Sequence, residues 1–229
     1  MRLRNGTAVI IPVHNEDGVI RQTIKDVQRY FDCVICINDG SRDNSAGEIK
    51  KTSAVLISHP INLGQGAALQ TGIEWALKQP EIEYFVTFDA DGQHDIKDVK
   101  VMLEVLKSQN LDIVLGSRFL GRADNIPLGK RVLLKAAIKF TNFFSGVKLT
   151  DTHNGLRVFN RKFAEQLNIV MPDMAHASEI IDKIGKGEWK YQEVPITVHY
   201  TGYSMSKGQS MFNSVNILFD LLLSKAGKK

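Results

Sequence analysis

The first half of the chain alternates between short apolar runs and amphipathic segments. The β-branched runs TAVIIPV (7–13), CVICI (33–37) and AVLIS (54–58) predict strands, and EYFVTFD and LDIVLGS extend the series. Between the runs, segments such as 17–31 place apolar residues every three or four positions, which predicts helices. Strands and helices in this order indicate an α/β fold with a mostly parallel sheet flanked by helices.

After residue 120 this alternation stops. Residues 130–146 predict a helix, and DTHNGLRVFNRKFAEQL (151–167) predicts a turn, a short strand and a further helix. YQEVPITVHY predicts another strand, and the tail from residue 210 predicts a last helix. No repeat or linker interrupts the chain, so we expect a single domain over 1–229 with two functional halves, 7–120 and 121–229.

Composition narrows the class of protein. With 229 residues, 43% hydrophobic and 24% charged, the chain is typical of a soluble globular protein. A net charge of +4 suits an anionic ligand but is too small to indicate nucleic acid, and the basic clusters lack interleaved aromatic residues. The N-terminus turns polar too early for a signal peptide, and no apolar run approaches the ~20 residues of a membrane span.

The two cysteines, Cys33 and Cys36, have the C-x-x-C spacing of redox and zinc sites. They lie in a run that predicts a buried strand, where residues i and i+3 point to opposite faces. We therefore expect two core residues in a cytosolic protein.

Polar loops follow each predicted strand, at the edge where parallel sheets bind ligands. In FDADGQHD (88–95), Asp89 and Asp91 stand two residues apart in extended chain and can direct both carboxylates to one point. Hard oxygen ligands of this kind favour Mg²⁺ or Mn²⁺. Gln93 is a third ligand through its carbonyl oxygen or a residue of a solvated turn, and Asp95 predicts the N-cap of the next helix.

Six motifs together resemble family 2 glycosyltransferases of the GT-A fold. IPVHNE, NDGSRDNS, NLGQGAALQTG, FDADGQH, GSR and DTHNGLRVF occur in the family's order over roughly residues 7–207. The chain looks most like the branch with dolichyl-phosphate mannose synthase and bacterial polyprenyl-phosphate glycosyltransferases. The resemblance implies a Rossmann-like GT-A sheet, a nucleotide-sugar-binding half (7–120) and an acceptor- and membrane-facing half (121–229) with C-terminal acceptor-side helices.

The resemblance also implies a donor site. Asp39 is expected to accept a hydrogen bond from the base, and Glu16 either contacts the nucleoside or interacts with a helix dipole. Gly64 and Gly66 either let backbone amides approach the donor or only open a helix. The remaining donor residues implied are Pro12, Val13 and Asn15 around the ribose and base, Asp89 and Asp91 at the metal with Ala90 between them as a nucleotide-sugar-binding residue, and Lys207 (with Ser206) in a loop that closes over the pyrophosphate or acceptor.

On the acceptor side, the resemblance places Arg118 and Arg131 at a phosphate, although Arg131 also fits a basic surface stripe with Lys135 and Lys139. Asp151 matches a position proposed as base or acceptor-binding residue, and it also fits a turn cap. A sugar hydroxyl acceptor would need a base. A phosphate monoester, with a second pKa of about 6, would not.

These features predict a metal-dependent, inverting glycosyltransferase that uses Mg²⁺ or Mn²⁺ and moves a sugar from a UDP- or GDP-sugar to a polyprenyl phosphate. The alternatives are a saccharide hydroxyl acceptor, a non-catalytic donor-binding module, and a nucleotidyltransferase. The last should carry a basic loop after the first strand, where PVHNED is acidic.

Attachment to a membrane is expected to be peripheral, at the cytoplasmic face. The helix at 130–145 and the tail helix combine apolar surface with lysines, which is typical of membrane-surface helices, of core helices or of a homodimer interface. The related branch often carries C-terminal membrane spans. Their absence here predicts a small membrane partner protein.

Overall fold

The computed structural model describes residues 6–123, 128–152, 154–171 and 175–199. Seven strands form one sheet in the order β3-β2-β1-β4-β6-β5-β7. The strands are β1 Thr7–Val13, β2 Cys33–Asp39, β3 Val55–His59, β4 Tyr84–Thr87, β5 Ile113–Ala123, β6 Arg157–Asn160 and β7 Tyr191–Val198. The helices are α1 Ile20–Gln28, α2 Ser45–Lys50, α3 Gln65–Leu77, α4 Ile96–Ser108, α5 Leu128–Ser145, α6 Arg161–Gln166 and α7 Ala175–Lys186.

The sheet is mostly parallel, as the sequence pattern predicts. β1 pairs in parallel with β2 and β4, β2 with β3, and β5 with β7. β6 is the exception, because it lies antiparallel between β4 and β5. Its first residue, Arg157, therefore stands opposite Thr87 of β4 and Leu115 of β5 in the centre of the sheet.

Helices cover both faces of the sheet. One apolar cluster packs α1 and α4 against one face, and a second packs α3, α6 and α7 against the other. Cys36 belongs to the first cluster and Cys33 to the second, so the two side chains point to opposite faces as expected. Both are buried free thiols. Burial raises the pKa of both, that of Cys33 to about 11, so neither forms a reactive thiolate near neutral pH.

The structure confirms the helix N-cap predicted at Asp95. Asp95 precedes α4 and accepts a hydrogen bond from the backbone N–H of Lys97 (2.9 Å). The helix predicted over 130–146 is α5, and 151–167 gives the expected turn, strand and helix. The sequence pattern did not predict α7, which buries Ile180, Ile181 and Ile184. The predicted tail helix lies outside the described residues.

Candidate active site

A pocket of about 390 Å³ opens at the carboxyl edge of the sheet, where β1, β2 and β4 end. Most of the donor-site residues expected from the sequence line it: Pro12, Val13, Glu16, Asp39, Gly64, Asp89, Ala90 and Asp91. Residues not anticipated complete the wall: His14, Asn62, Gln65, Gly155, Arg157, His176 and Ala177. Both predicted halves of the chain, 7–120 and 121–229, therefore contribute residues to this pocket.

Asp89 follows β4 and is held by two side chains. Gln65 Nε2 donates to its Oδ1 (3.2 Å), and His94 Nε2 lies 2.9 Å from its Oδ2. Burial acts to raise the pKa of Asp89, but the hydrogen bond and charge of His94, with the charges of Arg157 and His176, outweigh it and lower this pKa. Asp89 is therefore an ionised carboxylate with a fixed orientation.

Asp91 carries the second carboxylate of the pocket. The backbone N–H and the side-chain amide of Gln93 donate to its two oxygens at 3.0 and 2.7 Å. Burial, and after it the charge of Asp89, raises the pKa of Asp91 to about 6. The two carboxylates lie close enough to repel each other, and a bound cation would relieve that repulsion.

The aspartate pair fits a hard divalent cation such as Mg²⁺ or Mn²⁺. Within the part of the chain that the structure describes, no cluster of three or more His, Cys, Asp or Glu residues could hold a metal by itself. The cation would therefore complete its coordination with water and the phosphate oxygens of a nucleotide, as Mg²⁺ commonly does. Gln93, the expected third ligand, lies beside Asp91 and is bonded to it.

The loop after β1 is tied to the loop after β2. Asn15 has a φ of 57°, its Oδ1 accepts from the Arg42 backbone N–H (2.8 Å), and its own N–H donates to Ser41 Oγ (3.0 Å). The Glu16 N–H donates to Ser45 Oγ (2.7 Å). Asn15 lines a neighbouring pocket of about 540 Å³ and not the one that holds Asp89.

Asp39, expected to bind a base, already accepts three hydrogen bonds or close polar contacts. The backbone N–H groups of Leu63 and Gly64 donate to its Oδ1 and Oδ2, each at 2.9 Å, and His59 Nδ1 lies 2.8 Å from Oδ1. The carboxylate is buried. Asp39 therefore fixes the loop between β3 and α3 in addition to lining the pocket.

The two glycines of NLGQG have different surroundings. Gly64 has a φ of 92°, a conformation that favours glycine, and it lines the pocket. Gly66 is buried on α3, where a Cβ would collide with the Met171 carbonyl and approach the His176 Cβ. Gly64 is thus placed to meet a ligand, whereas Gly66 allows α3 to pack closely against the segment before α7.

Arg118 and Asp151 form a buried ion pair, and neither residue is part of the lining of the pocket that holds Asp89. Arg118 Nε and Nη2 donate to Asp151 Oδ2 (2.6 Å) and Oδ1 (3.3 Å), and the Arg118 backbone N–H also donates to Oδ2 (3.1 Å). The Asp151 side chain is 0% exposed. Glu193 accepts from the backbone N–H groups of Thr150 and Asp151, which fixes this turn. The sequence assigned separate roles to Arg118 and Asp151, and the structure places them in contact with each other.

Three residues that the sequence did not single out for the site lie around Asp89. His94 contacts it directly, and Arg157 and His176 line the same pocket. The histidines of the sequence lack metal-ligand spacing, and His94 contacts a carboxylate instead. The signal for Arg157 was a charged residue in the middle of an apolar, strand-like run, GLRVF.

The structure does not describe the side chains of two expected site residues, Arg131 and Lys207. Position 131 belongs to α5, but the Arg131 side chain is not among those described. Lys207 and its neighbour Ser206 lie beyond residue 199, outside the described residues. On the described part of α5, Lys135 and Lys139 are exposed, as a basic surface stripe requires.

A mostly parallel sheet with one antiparallel strand near its centre, and an aspartate pair at the end of β4, define the GT-A class of glycosyltransferases. Residues 8–167 match the model of the family described as Glycosyl transferase family 2, and the chain belongs to this family. The family and the fold expected from the sequence motifs are thereby confirmed, and so is the expectation of a glycosyltransferase enzyme.

Two relatives cover nearly the whole chain. A protein of Methanocaldococcus jannaschii is 34% identical over 223 residues, which span 95% of this chain and 91% of that protein. The UDP-N-acetylglucosamine–dolichyl-phosphate N-acetylglucosaminyltransferase of Methanococcus voltae is 30% identical over 244 residues and 96% of each chain.

Among solved structures, glucosyl-3-phosphoglycerate synthase from Mycobacterium tuberculosis is similar in fold. Its complex with Mn²⁺, UDP-glucose and phosphoglyceric acid gives a TM-score of 0.70 at 16% identity, over 96% of this chain and 79% of that one. At this identity the likeness supports the GT-A fold alone.

Proposed function

We propose that the protein is a metal-dependent, inverting glycosyltransferase that moves one sugar from a nucleotide sugar to a polyprenyl phosphate. The observation that carries this proposal is the pair Asp89 and Asp91 in one pocket at the carboxyl edge of the sheet. After burial, the charge of Asp89 contributes to the raised pKa of Asp91, so the two carboxylates repel each other and a bound cation would relieve that repulsion.

The donor side follows from the pocket lining. A divalent cation bound there would supply Lewis-acid stabilisation of the charge that develops on the leaving diphosphate. Asp89 and Asp91 would hold it, while Pro12, Val13 and Glu16 would border the nucleoside. The Methanococcus voltae relative is named for a UDP-sugar donor, which favours UDP over GDP.

The acceptor side follows from the pairing of Asp151 with Arg118. Both oxygens of Asp151 accept hydrogen bonds from Arg118, so this carboxylate is poorly placed to take a proton from a sugar hydroxyl. A phosphate monoester is mostly ionised at neutral pH and needs no base. In-line attack of such an oxygen on the anomeric carbon inverts its configuration. The acceptor in the name of the Methanococcus voltae relative, dolichyl phosphate, is of this kind.

Membrane attachment is proposed through the exposed face of α5. Phe143 is 81% and Phe144 51% exposed, and Lys135 and Lys139 are exposed on the same helix. Aromatic rings suit the interfacial region of a bilayer and lysines suit anionic headgroups. No helix among the described residues is both long and apolar enough to span a membrane. Peripheral binding at the cytoplasmic face fits these features, and a small membrane protein or a second copy of the chain could cover the same surface.

The test is a transfer assay with the purified protein. Labelled UDP- and GDP-sugars are incubated with a polyprenyl phosphate in detergent, with Mn²⁺ or with EDTA, and the lipid is extracted into organic solvent. We expect label in the lipid fraction only with the metal. Label in a water-soluble glycan instead would establish the hydroxyl-acceptor alternative. Nucleotide binding without product from any acceptor would establish a non-catalytic module.

A further inference from the structure

Arg157 is a fully buried cation in the wall of the pocket. It begins β6, its residue is 1% exposed, and its neighbours across the sheet are Thr87 and Leu115. A charged side chain placed this deeply is normally paired and hydrogen-bonded, because its desolvation is otherwise unfavourable. The hydrogen-bond acceptors around Arg157 therefore indicate how this buried charge is stabilised.

The guanidinium of Arg157 lacks such partners. Its Nε and Nη1 atoms are buried and have no hydrogen-bond acceptor among the described residues. Arg161, four residues later, shows the usual arrangement. Its Nη1 and Nη2 donate to the carbonyl oxygens of Leu77, Gln79 and Ile82, and its Nε donates to Glu165.

Asp89 and Asp151 are the two carboxylates whose charges act on Arg157, but neither accepts a hydrogen bond from its Nε or Nη1. Asp89 is bonded to Gln65 and His94, and Asp151 accepts both of its side-chain hydrogen bonds from Arg118. Their charges support the protonated form of Arg157. Burial lowers the pKa of Arg157 to about 10, which still leaves the side chain charged at neutral pH.

Because Arg157 lines the pocket, a ligand bound there can supply an acceptor that the described residues do not provide. A planar guanidinium presents paired N–H groups along its edges, Nε with Nη2 and Nη1 with Nη2, and such pairs match the oxygens of a phosphate in a way that a lysine ammonium cannot reproduce. The pocket that Arg157 lines also contains the aspartate pair, so a phosphate there would meet positive charge from both the cation and Arg157.

We propose that Arg157 is a phosphate-binding residue of this pocket and donates guanidinium N–H groups to phosphate oxygens of the bound reactants. Only the identity of the bound phosphate, in the donor or in the acceptor, rests on the proposed function. The donor diphosphate and the acceptor phosphate monoester share the chemistry that Arg157 recognises, and the experiment distinguishes them.

The test compares Arg157→Lys with Arg161→Lys in the full chain. Arg157→Lys keeps a positive charge beside Asp89 and Asp151 but loses the planar fork. Arg161→Lys loses a fork of the same chemistry outside the pocket. Isothermal titration with UDP, GDP and pyrophosphate in Mg²⁺ measures binding of the donor phosphates, and the KM for polyprenyl phosphate measures binding of the acceptor. Thermal melting and circular dichroism establish that each variant is folded.

We expect Arg157→Lys to weaken one of these two interactions at least tenfold, and Arg161→Lys to weaken neither. Weaker binding of UDP, GDP and pyrophosphate would assign Arg157 to the donor. Unchanged binding with a raised KM for the lipid would assign it to the acceptor. A folded Arg157→Lys variant with wild-type values in every arm overturns the proposal.

A second measurement covers the case in which Arg157→Lys does not fold. In the unaltered protein labelled with ¹⁵N-arginine, the Nε–H resonance of Arg157 should shift when pyrophosphate or a short-chain polyprenyl phosphate is added with Mg²⁺. A resonance that moves with neither probe overturns the proposal. Failure of the proposed function has a different signature, namely no lipid product from the unaltered protein while the phosphate probes still shift Arg157.

Discussion

A Cβ atom built on Gly155 would lie 2.5 Å from both carboxylate oxygens of Asp89. No side chain can occupy that space while Asp89 keeps its position. We therefore expect Gly155→Ala to displace Asp89 and to weaken Mn²⁺-dependent UDP binding at least tenfold, which isothermal titration would measure.

The control for Gly155→Ala is Gly146→Ala. Gly146 has a φ of 70° with no atom within 4 Å of a built Cβ, so alanine there strains the backbone by roughly 1 kcal/mol without touching the pocket. If both variants melt at a lower temperature but only Gly155→Ala binds UDP more weakly, the effect on UDP binding is local to Asp89. Equal UDP affinity in the two variants would contradict the prediction.

His94 orients Asp89 through its Nε2 contact at 2.9 Å, and its ring packs edge-on against Phe88. His94→Phe keeps an aromatic ring in this space but removes the hydrogen bond to a proposed metal ligand. Losses of this kind commonly weaken metal binding by about 10- to 100-fold. We expect a loss in that range in a Mn²⁺ titration of UDP binding. Wild-type metal affinity in a folded His94→Phe variant would show that His94 only fills space.

The carboxylate of Asp91 gives the metal-free protein a pH-dependent stability. Its folded-state pKa is raised to about 6, above the value near 4 expected in the unfolded chain. The folded state therefore binds this proton more tightly. The resulting stabilisation is full below about pH 4 and is lost as the pH rises through 6.

In EDTA, we expect the melting midpoint of the unaltered protein to fall between pH 5 and pH 7.5 relative to that of Asp91→Asn. A difference of 1 kcal/mol corresponds to roughly 2–4 °C for a chain of this size. Mn²⁺ should raise the midpoint at pH 7.5 in the unaltered protein by binding the folded state. Parallel pH profiles of the two proteins in EDTA would refute the assignment of this pKa.

Asp151 and Arg118 are expected to act as a pair. Removing one member of a buried ion pair leaves an uncompensated charge and costs about 3–5 kcal/mol. Asp151→Asn and Arg118→Gln should each lower stability by an amount of this order in urea unfolding. The double variant should lose less than the sum of the two.

The same variants test whether Asp151 is a base. A positioning role predicts that kcat of Asp151→Asn and of Arg118→Gln fall together, with an unchanged pH profile. A general base predicts that Asp151→Asn alone removes the acidic limb of the kcat profile. That second result would restore the hydroxyl-acceptor alternative.

The exposed rings of Phe143 and Phe144 are expected to bind a bilayer. Phe143→Ser/Phe144→Ser should reduce co-sedimentation with vesicles that contain anionic lipid at least tenfold, while transfer to a detergent-dispersed acceptor stays measurable. Val170, which is 76% exposed and does not belong to α5, provides the control Val170→Ser. Unchanged sedimentation of the double variant would indicate that another surface or a partner protein binds the membrane.

The sequence predicted the strands, most of the helices and the aspartate pair because these depend on local patterns. Apolar periodicity sets β1 to β5, and two residues of extended chain bring Asp89 and Asp91 together. The helix α7 carries the same kind of local periodic signal, at Ile180, Ile181 and Ile184.

Other features of the site depend on contacts between distant segments. The contact of Arg118 with Asp151 joins residues 33 positions apart, and it exists only because both lie at the same edge of the sheet. The unpaired state of Arg157 cannot be predicted from sequence either, since it depends on which acceptors its neighbours have already used.

The position of β6 has a consequence for how the chain folds during synthesis. β4 and β5 follow each other along the chain but do not pair, because β6, made later, lies between them. Until residues 157–160 leave the ribosome, both strands have an open edge toward the centre of the sheet, where other chains could add. Closing that gap is a late, long-range event of the kind that slows folding. The same event delivers Arg157, so the nascent chain joins β4 to β5 and acquires its buried guanidinium in one step.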